Sequence, residues 1–460
     1  MTQTVAFPVI SLSLLLLVIA GIVIGRMQND SQVFKYTMGT SLAVLALGLF
    51  VLGNFDFSQN TLQFEEHATA GKLTWHVGLD SLNILFYLLT LLISPLTLLF
   101  LRSEGQNKVR MSGVLIYEAV LIAAFASQHL FMFWCLLLLE LLPLHMVSGL
   151  WKTKNHSATK LLIRYWALML ILILSAMIVL TYYGENSASL GFILLFFGLA
   201  VRLPAFPFHG WLPVMVSQGN TFAAFSLIAG LKIGIYGLYR FVLPLLADIP
   251  ESWGGFVLSL ALFGIYYGAL LALMQINLQR LLAFAVVSHN GVLLIGLINS
   301  NDQTLSGSLL LSIAFGLASI GMILSTGFIR SKTGTSFIPR LGNLFENNTF
   351  SAILFLLAAL CTMAIPGTPG YNAAHLLLEG LIEASGWKSA IAILIGNVLA
   401  AAFLLRAFQQ VYIASPRRAI LHKLHNKKHI LQGETLICCV LCALILLAGF
   451  YPLAELLGNT

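Results

Sequence analysis

The sequence predicts an all-α polytopic membrane protein of about 14 transmembrane helices. Composition is the first ground: of 460 residues, 59% are hydrophobic and 9% charged. The mean hydropathy is +0.92, a balance that no soluble globular chain of this length carries. Spacing is the second. Apolar runs of about 20 residues, enough to cross about 30 Å of hydrocarbon, recur from end to end and leave no room for a soluble catalytic domain. Charge sorting between the runs is the third. Any redox or hydrolytic chemistry therefore belongs to partners.

Reading apolar runs against breakers places spans near 5–25, 37–54, 81–101, 111–127, 129–151, 161–183, 189–204, 221–243, 254–276, 283–299, 306–328, 350–366, 388–412 and 435–455. The first, Val5 to Gly25, has no basic residue before it and is followed by Arg26, so it reads as a retained span with its N-terminus outside. Alternation from there puts Arg26/Lys35, Arg102/Lys108/Arg110, Lys152/Lys154/Lys160, Arg280, Arg330/Lys332/Arg340 and Arg417 to Lys428 on one face. Glu65/Glu66, Glu185, Asp248/Glu251 and Asp302 fall on the other. The basic face is cytoplasmic, in a cell inner (plasma) membrane, and the net charge of +7 reports topology rather than nucleic-acid binding. Residues 417–429, basic with Ile420, Leu421 and Leu424 interleaved, read as a positive-inside segment on the lipid surface.

Two stretches resist continuous helix. Pro204, Pro207 and Pro213 interrupt LAVRLPAFPFHGWLPVMVSQGN, and Pro366 and Pro369 with Gly367 and Gly370 interrupt AIPGTPGYNAAHLLLEG. Irregular backbone at membrane depth persists only when buried in protein or lining a wet cavity. The breaks lie about 160 residues apart, where two inverted five-helix repeats would place them. The chain accordingly divides into N-terminal helices (1–110), a first repeat (111–276), a second (283–412), and a basic segment with the last helix (413–460).

Lys232 within GLKIGIYGLYRF is the most telling residue, since an ammonium near the bilayer centre costs about 2.5–3.5 kcal/mol at the low end. Glu140, Glu118, His289 and Arg202 also sit in or beside apolar runs. Buried ionisable groups recurring in this way point to an ion or proton path. Glu118 fits a place in the path or a helix–helix hydrogen bond equally well. Cys135, Cys361, Cys438, Cys439 and Cys442 lie in apolar helices without metal, haem or cluster spacing and read as packing residues. No cofactor and no metal site is expected on the chain.

The segment RLPAFPFHGWLPVMVSQGNTFAAFSLIAGLKIGIYGLYRF resembles the signature of the antiporter-like, proton-pumping membrane subunits of respiratory complex I and Mrp-type cation/proton antiporters, most closely the fourteen-helix type (the NuoM/NdhD/MrpD-like group). GLDSLNILFYLLTLLISPL, FWCLLLLELLPLHMVSGLW, YGALLALMQINLQRLLAFAVVSHNG and GETLICCVLCALILLAGFYP resemble further blocks in order, so the likeness covers about residues 75–455. The resemblance implies that Glu140 and Lys232 form a central charge pair, that Arg202 stands where a Lys is usual before the break, and that His289 is the His of the SHNG block. Pro204, Pro207, His209 and Pro213 match the break itself.

The chain departs from the pattern in its second half. Phe315 in IAFGLASIGMI replaces a relay His, span 254–276 holds no Lys or His, and NAAHLLLEGLIEAS follows the second break, leaving His375, Glu379 and Glu383 as stand-ins for the outer ionisable group. Three functions remain open: a proton-translocating subunit of a complex I-like NAD(P)H or ferredoxin:quinone oxidoreductase, an Mrp-type Na+/H+ antiporter subunit, or a proton-conducting partner in an inorganic-carbon uptake complex. All three imply other membrane subunits as partners, with an electron-transfer or carbonic-anhydrase-like protein in the first and third.

Overall fold

The computed structural model describes residues 8–59, 61–70, 73–104, 108–148, 157–183, 188–218, 232–248, 250–299, 301–415 and 431–450. In lipid every backbone N–H and C=O must find a partner within the protein, so apolar runs become helices. The first half contributes α1 (Val9–Arg26), α2 (Asp30–Gly53), α3 (Ile84–Glu104), α4 (Lys108–Ala126), α5 (Leu130–Leu139) continued by α6 (Leu141–Ser148), α7 (Ser157–Tyr183) and α8 (Ala188–Arg202). After the first break come α9 (Trp211–Gln218) and α10 (Lys232–Gly237), the latter extended by a π turn (Leu238–Val242) and a 3-10 turn (Leu243–Asp248). The second half follows with α11 (Glu251–Met274), α12 (Leu278–Ile298), α13 (Asp302–Thr333), α14 (Thr349–Thr362), α15 (Pro369–Ser385), α16 (Trp387–Phe408) and α17 (Leu431–Phe450). Among the described residues, eleven helices are long and apolar enough to cross a membrane.

The chain is a polytopic helical membrane protein, with two differences from the sequence reading. Outside the spans, β1 (Gln63–Ala70) and β2 (Leu73–Leu79) form an antiparallel hairpin, so the chain is not helical throughout. This hairpin is stitched to the helices: Glu66 accepts from the backbone N–H of Ile10 at 2.8 Å and of Ser11 at 3.1 Å, capping α1, and Val77 bridges to Ser127. The second difference is α15, a helix of 17 residues that the sequence reading did not count among the spans. Pro369 occupies its first turn and Pro213 the first turn of α9, positions whose missing N–H leaves no helical bond unmade. These two prolines start helices. The expected span 221–243 is described from Lys232 onward, and Lys152, Lys154, Glu185 and Arg417 to Lys428 lie outside the described residues.

Burial follows function. α12 and α13 are almost wholly enclosed, whereas α1, α2, α7, α11, α16 and α17 turn residues such as Ile22, Leu49, Ile171, Leu270, Val398 and Leu447 outward to lipid. Asn301 starts α13 by accepting from the Thr304 N–H at 2.8 Å, and Gly334, at φ +74°, ends it. At the second break a Cβ on Gly370 would overlap the Cys361 carbonyl oxygen. α17 closes over that break: Gly449 packs on the Gly367 carbonyl, and its own carbonyl accepts from Asn372 at 3.0 Å. Near the other end of α17, Glu434 pairs with Lys332 of α13 at 2.7 Å.

Candidate functional site

Glu140 stands at a discontinuity that the sequence contains but the span reading passed over. Pro143 has no N–H, so the Leu139 carbonyl lacks its helical donor between α5 and α6, while Glu140 itself keeps helical backbone angles and its bonds to Leu136 and Leu144. The carboxylate is fully buried there. Arg202, also fully buried at the end of α8, holds it with two hydrogen bonds: Nε to Oε2 at 3.2 Å, and Nη2 to Oε1. Tyr117 of α4 donates to Oε1 at 3.1 Å, and the guanidinium lies 5.1 Å from the Trp166 ring centroid. Tyr117 and Trp166 were not singled out from the sequence; only an aromatic facing a buried cation would have flagged them.

The direct partner of Glu140 is therefore Arg202 and not Lys232, which corrects the central pair implied by the resemblance. The reason is packing. The end of α8 brings the guanidinium fork to the carboxylate in the bidentate geometry that planar Arg favours. α10 meets that end backbone to backbone, because Gly234 has no side chain to strike Leu203. Lys232, 7% exposed, instead runs along α13, its Cε about 3.0 Å from where a Cβ on Gly316 would sit. Among the described residues it makes no ion pair.

His289 of α12 lies close enough to feel the Lys232 charge and stacks on Phe315 of α13 at 4.3 Å between ring centroids. Neither of its ring nitrogens has a hydrogen-bond partner among the described residues. Phe315 thus covers one face of His289. Asn290 donates its side-chain N–H to the Leu203 carbonyl, satisfying an acceptor freed by the first break. His209, within that break, packs among Phe206, Tyr267 and Phe284.

The remaining candidates are not part of this cluster. Glu118, 1% exposed, faces Ser41 of α2 and Ser94 of α3, with neither carboxylate oxygen in hydrogen-bond geometry. Its neighbour Tyr117 faces Glu140, so the two sit on different sides of α4. His375 and Glu379 pair at 3.5 Å with side chains 56% and 54% exposed, and Glu383 is exposed one turn on. Ala373, Ala374, Leu377, Gly380 and Leu381 form the buried face of α15, so the three ionisable residues point away from the helices around Lys232. At the start of α14, a cavity of about 190 Å³ is lined by Lys332, Glu346, Asn348, Ser351 and Glu434, and Asn348 accepts from the Lys332 ammonium at 2.6 Å.

This architecture is shared with known proteins. A family profile described as NADH:quinone oxidoreductase/Mrp antiporter, transmembrane, matches residues 127–400, more than half of the chain. "NADH-quinone oxidoreductase subunit M" of Rhodobacter capsulatus is 27% identical over 452 residues, covering 91% of this chain and 87% of the relative. "NAD(P)H-quinone oxidoreductase chain 4, chloroplastic" of Mesostigma viride is 27% identical over 484 residues, covering 97% and 94%. Among solved structures, a chain of respiratory complex I from Thermus thermophilus superposes with a TM-score of 0.77 at 24% identity, over 95% of this chain and 99% of that one. One from the Mrp complex of Dietzia sp. gives 0.87 at 17% identity, over 99% and 96%. The chain belongs to the NADH:quinone oxidoreductase/Mrp antiporter transmembrane family.

Proposed function

We propose that the chain is a proton-translocating membrane subunit of a complex I-like NAD(P)H or ferredoxin:quinone oxidoreductase, and that Lys232 is its titrating centre. One observation carries this reading. Lys232 is buried against Gly316 of α13 and beside His289, with no ion-pair partner for the ammonium and no hydrogen-bond partner for the His289 ring nitrogens among the described residues. An unpaired buried ammonium is retained against its insertion cost only where its charge has work to do. Arg202 does not deprotonate, so the Glu140–Arg202 pair acts as a fixed field, while Lys232 and His289 exchange the mobile proton. Glu118 serves as a second buried carboxylate within the first repeat. His375, Glu379 and Glu383, facing outward on α15, pass protons across the contact with a neighbouring membrane subunit.

In this reading the repeats are residues 111–276 and 283–412, each holding one broken segment. The chain lies in the cell inner membrane with its N-terminus outside and basic connections cytoplasmic, and electron-transfer cofactors reside on partner subunits. The fold of the Dietzia Mrp chain favours a second reading, an Mrp-type Na+/H+ antiporter subunit.

The test is proton uptake by the whole complex in proteoliposomes with a pH-sensitive dye. Lys232→Ala and Lys232→Arg should both reduce driven uptake to the passive leak, because Arg keeps the charge but releases no proton. Normal uptake by Lys232→Arg would make the residue a fixed charge and overturn the reading. Uptake that requires Na+ and no electron donor would select the antiporter.

A further inference from the structure

On the outer hairpin, three side chains converge that neither the breaks nor the buried charges use. His67 and His76 are direct cross-strand partners, their rings stacked at 3.8 Å between centroids. Glu65, two residues before His67 on β1, lies on the same face of the strand, and its Oε1 is 2.8 Å from the Nε2 of both His67 and His76. One ligand atom from each of the three residues falls within 4.8 Å of the other two. A tetrahedral Zn²⁺ with bonds of about 2.0–2.1 Å needs its ligand atoms about 3.3 Å apart and in the ring planes, so binding moves the carboxylate outward and splays the two stacked rings until both Nε2 atoms point at the ion.

We propose that Glu65, His67 and His76 form a binding site for a late first-row divalent cation of the Zn²⁺ type, with a fourth position open to water. Two imidazoles and one carboxylate favour such an ion over Mg²⁺ or Ca²⁺, which prefer all-oxygen shells. A second shell is already built. The Nδ1 of His76 lies 3.4 Å from the Nε2 of His129, so that a metal-bound His76 donates its remaining N–H to His129 and is held in one tautomer and orientation. His129 directly precedes α5, and the Gln128 N–H donates to the His76 carbonyl at 3.2 Å. The ion would thus tie the hairpin to the entry of the helix that ends at Glu140.

The experiment uses the purified full-length chain, stripped with a chelator and titrated with Zn²⁺ against a chromophoric competitor, and with Co²⁺ read by its visible d–d absorption. One equivalent of Zn²⁺ should bind in the presence of millimolar Mg²⁺ and Ca²⁺, and Co²⁺ should give the intense band of a low-coordinate site. His67→Ala and His76→Ala should lose that equivalent, and His129→Gln should keep it with affinity lowered about 10- to 100-fold. Zn²⁺ should also slow protease cleavage of the hairpin in the unmodified chain and not in His67→Ala. Absence of a stoichiometric site at tens of micromolar Zn²⁺, or equal binding by the His67→Ala/His76→Ala double variant, would overturn the proposal.

Discussion

Replacing Glu140 by Gln removes one charge and little volume. The amide still offers an oxygen to the Tyr117 hydroxyl, now at 3.1 Å from Oε1, but can accept only one of the two guanidinium bonds. Arg202 is then a fully buried cation without a counter-ion, and its Nη1 already lacks a hydrogen-bond partner among the described residues. Removing one member of a buried pair costs about 3–5 kcal/mol, and the retained amide bond places this variant near the lower end. The same bookkeeping predicts that Glu140→Gln/Arg202→Met, which deletes both charges, is less destabilised than the sum of its single variants by about 0.5–3 kcal/mol. Denaturant titration of the detergent-solubilised chain, followed by circular dichroism, measures all four proteins. Driven proton uptake should stay low in the double variant even where stability returns, because the field acting on Lys232 is gone. Additive stability losses, with no coupling between the two sites, would refute the pairing that the structure assigns.

Other outcomes follow from single features. Substituting His375, Glu379 and Glu383 together by Gln or Asn should block uptake in the assembled complex as severely as Lys232→Ala, while Phe315→His in that background should restore part of it by adding a titratable ring beside His289; full activity of the triple variant would leave α15 a structural helix. Gly370→Ala should lower thermal stability by about 1–3 kcal/mol, since its Cβ has no room beside the Cys361 carbonyl, and an unchanged melting curve would contradict that contact. The hairpin should open to limited proteolysis as pH falls. Desolvation, with the charges of His67 and His129 and against the Glu65 hydrogen bond, holds His76 below the ordinary imidazole value of 6.5. Burial raises Glu65, but the hydrogen bonds and charges of His76 and His67 outweigh it and hold the carboxyl low. Both shifts run downward, so this stabilisation is whole above pH 6.5 and is lost as pH falls through the lowered values, His76 first and Glu65 later. Cleavage independent of pH between 7 and about 4 would contradict it.

The spans and breaks were legible because their causes are local: about 20 apolar residues make a membrane helix, and Pro or Gly interrupts one wherever it falls. Pro143 carried the same local signal, yet a reading by hydropathy alone ran through it and so missed that one helical hydrogen bond is lost beside Glu140. The partner of Glu140 was not legible, because it lies 62 residues away and is chosen by how closely α8 and α10 approach, which Gly234 permits. The outward aspect of His375, Glu379 and Glu383 was half visible: their spacing of four puts them on one stripe, but only packing decides which stripe faces the bundle. Glu65 and His67, two apart on a polar connection, carried the period of a strand, and nothing in so short a segment announced that His76 would lie opposite.

The last helix acquires a mechanical meaning from its two attachments. Glu434 grips Lys332 near the C-terminal end of α13, and Gly449 rests on the Gly367 carbonyl in the second break, 15 residues or about 22 Å away along one uninterrupted helix. A helix of that length bends little, so it behaves as a tie rod: a displacement of the Lys332 end arrives at the break almost undiminished. Loosening the rod at one end, as Glu434→Gln would, leaves the break free to relax without any change in the residues that form it.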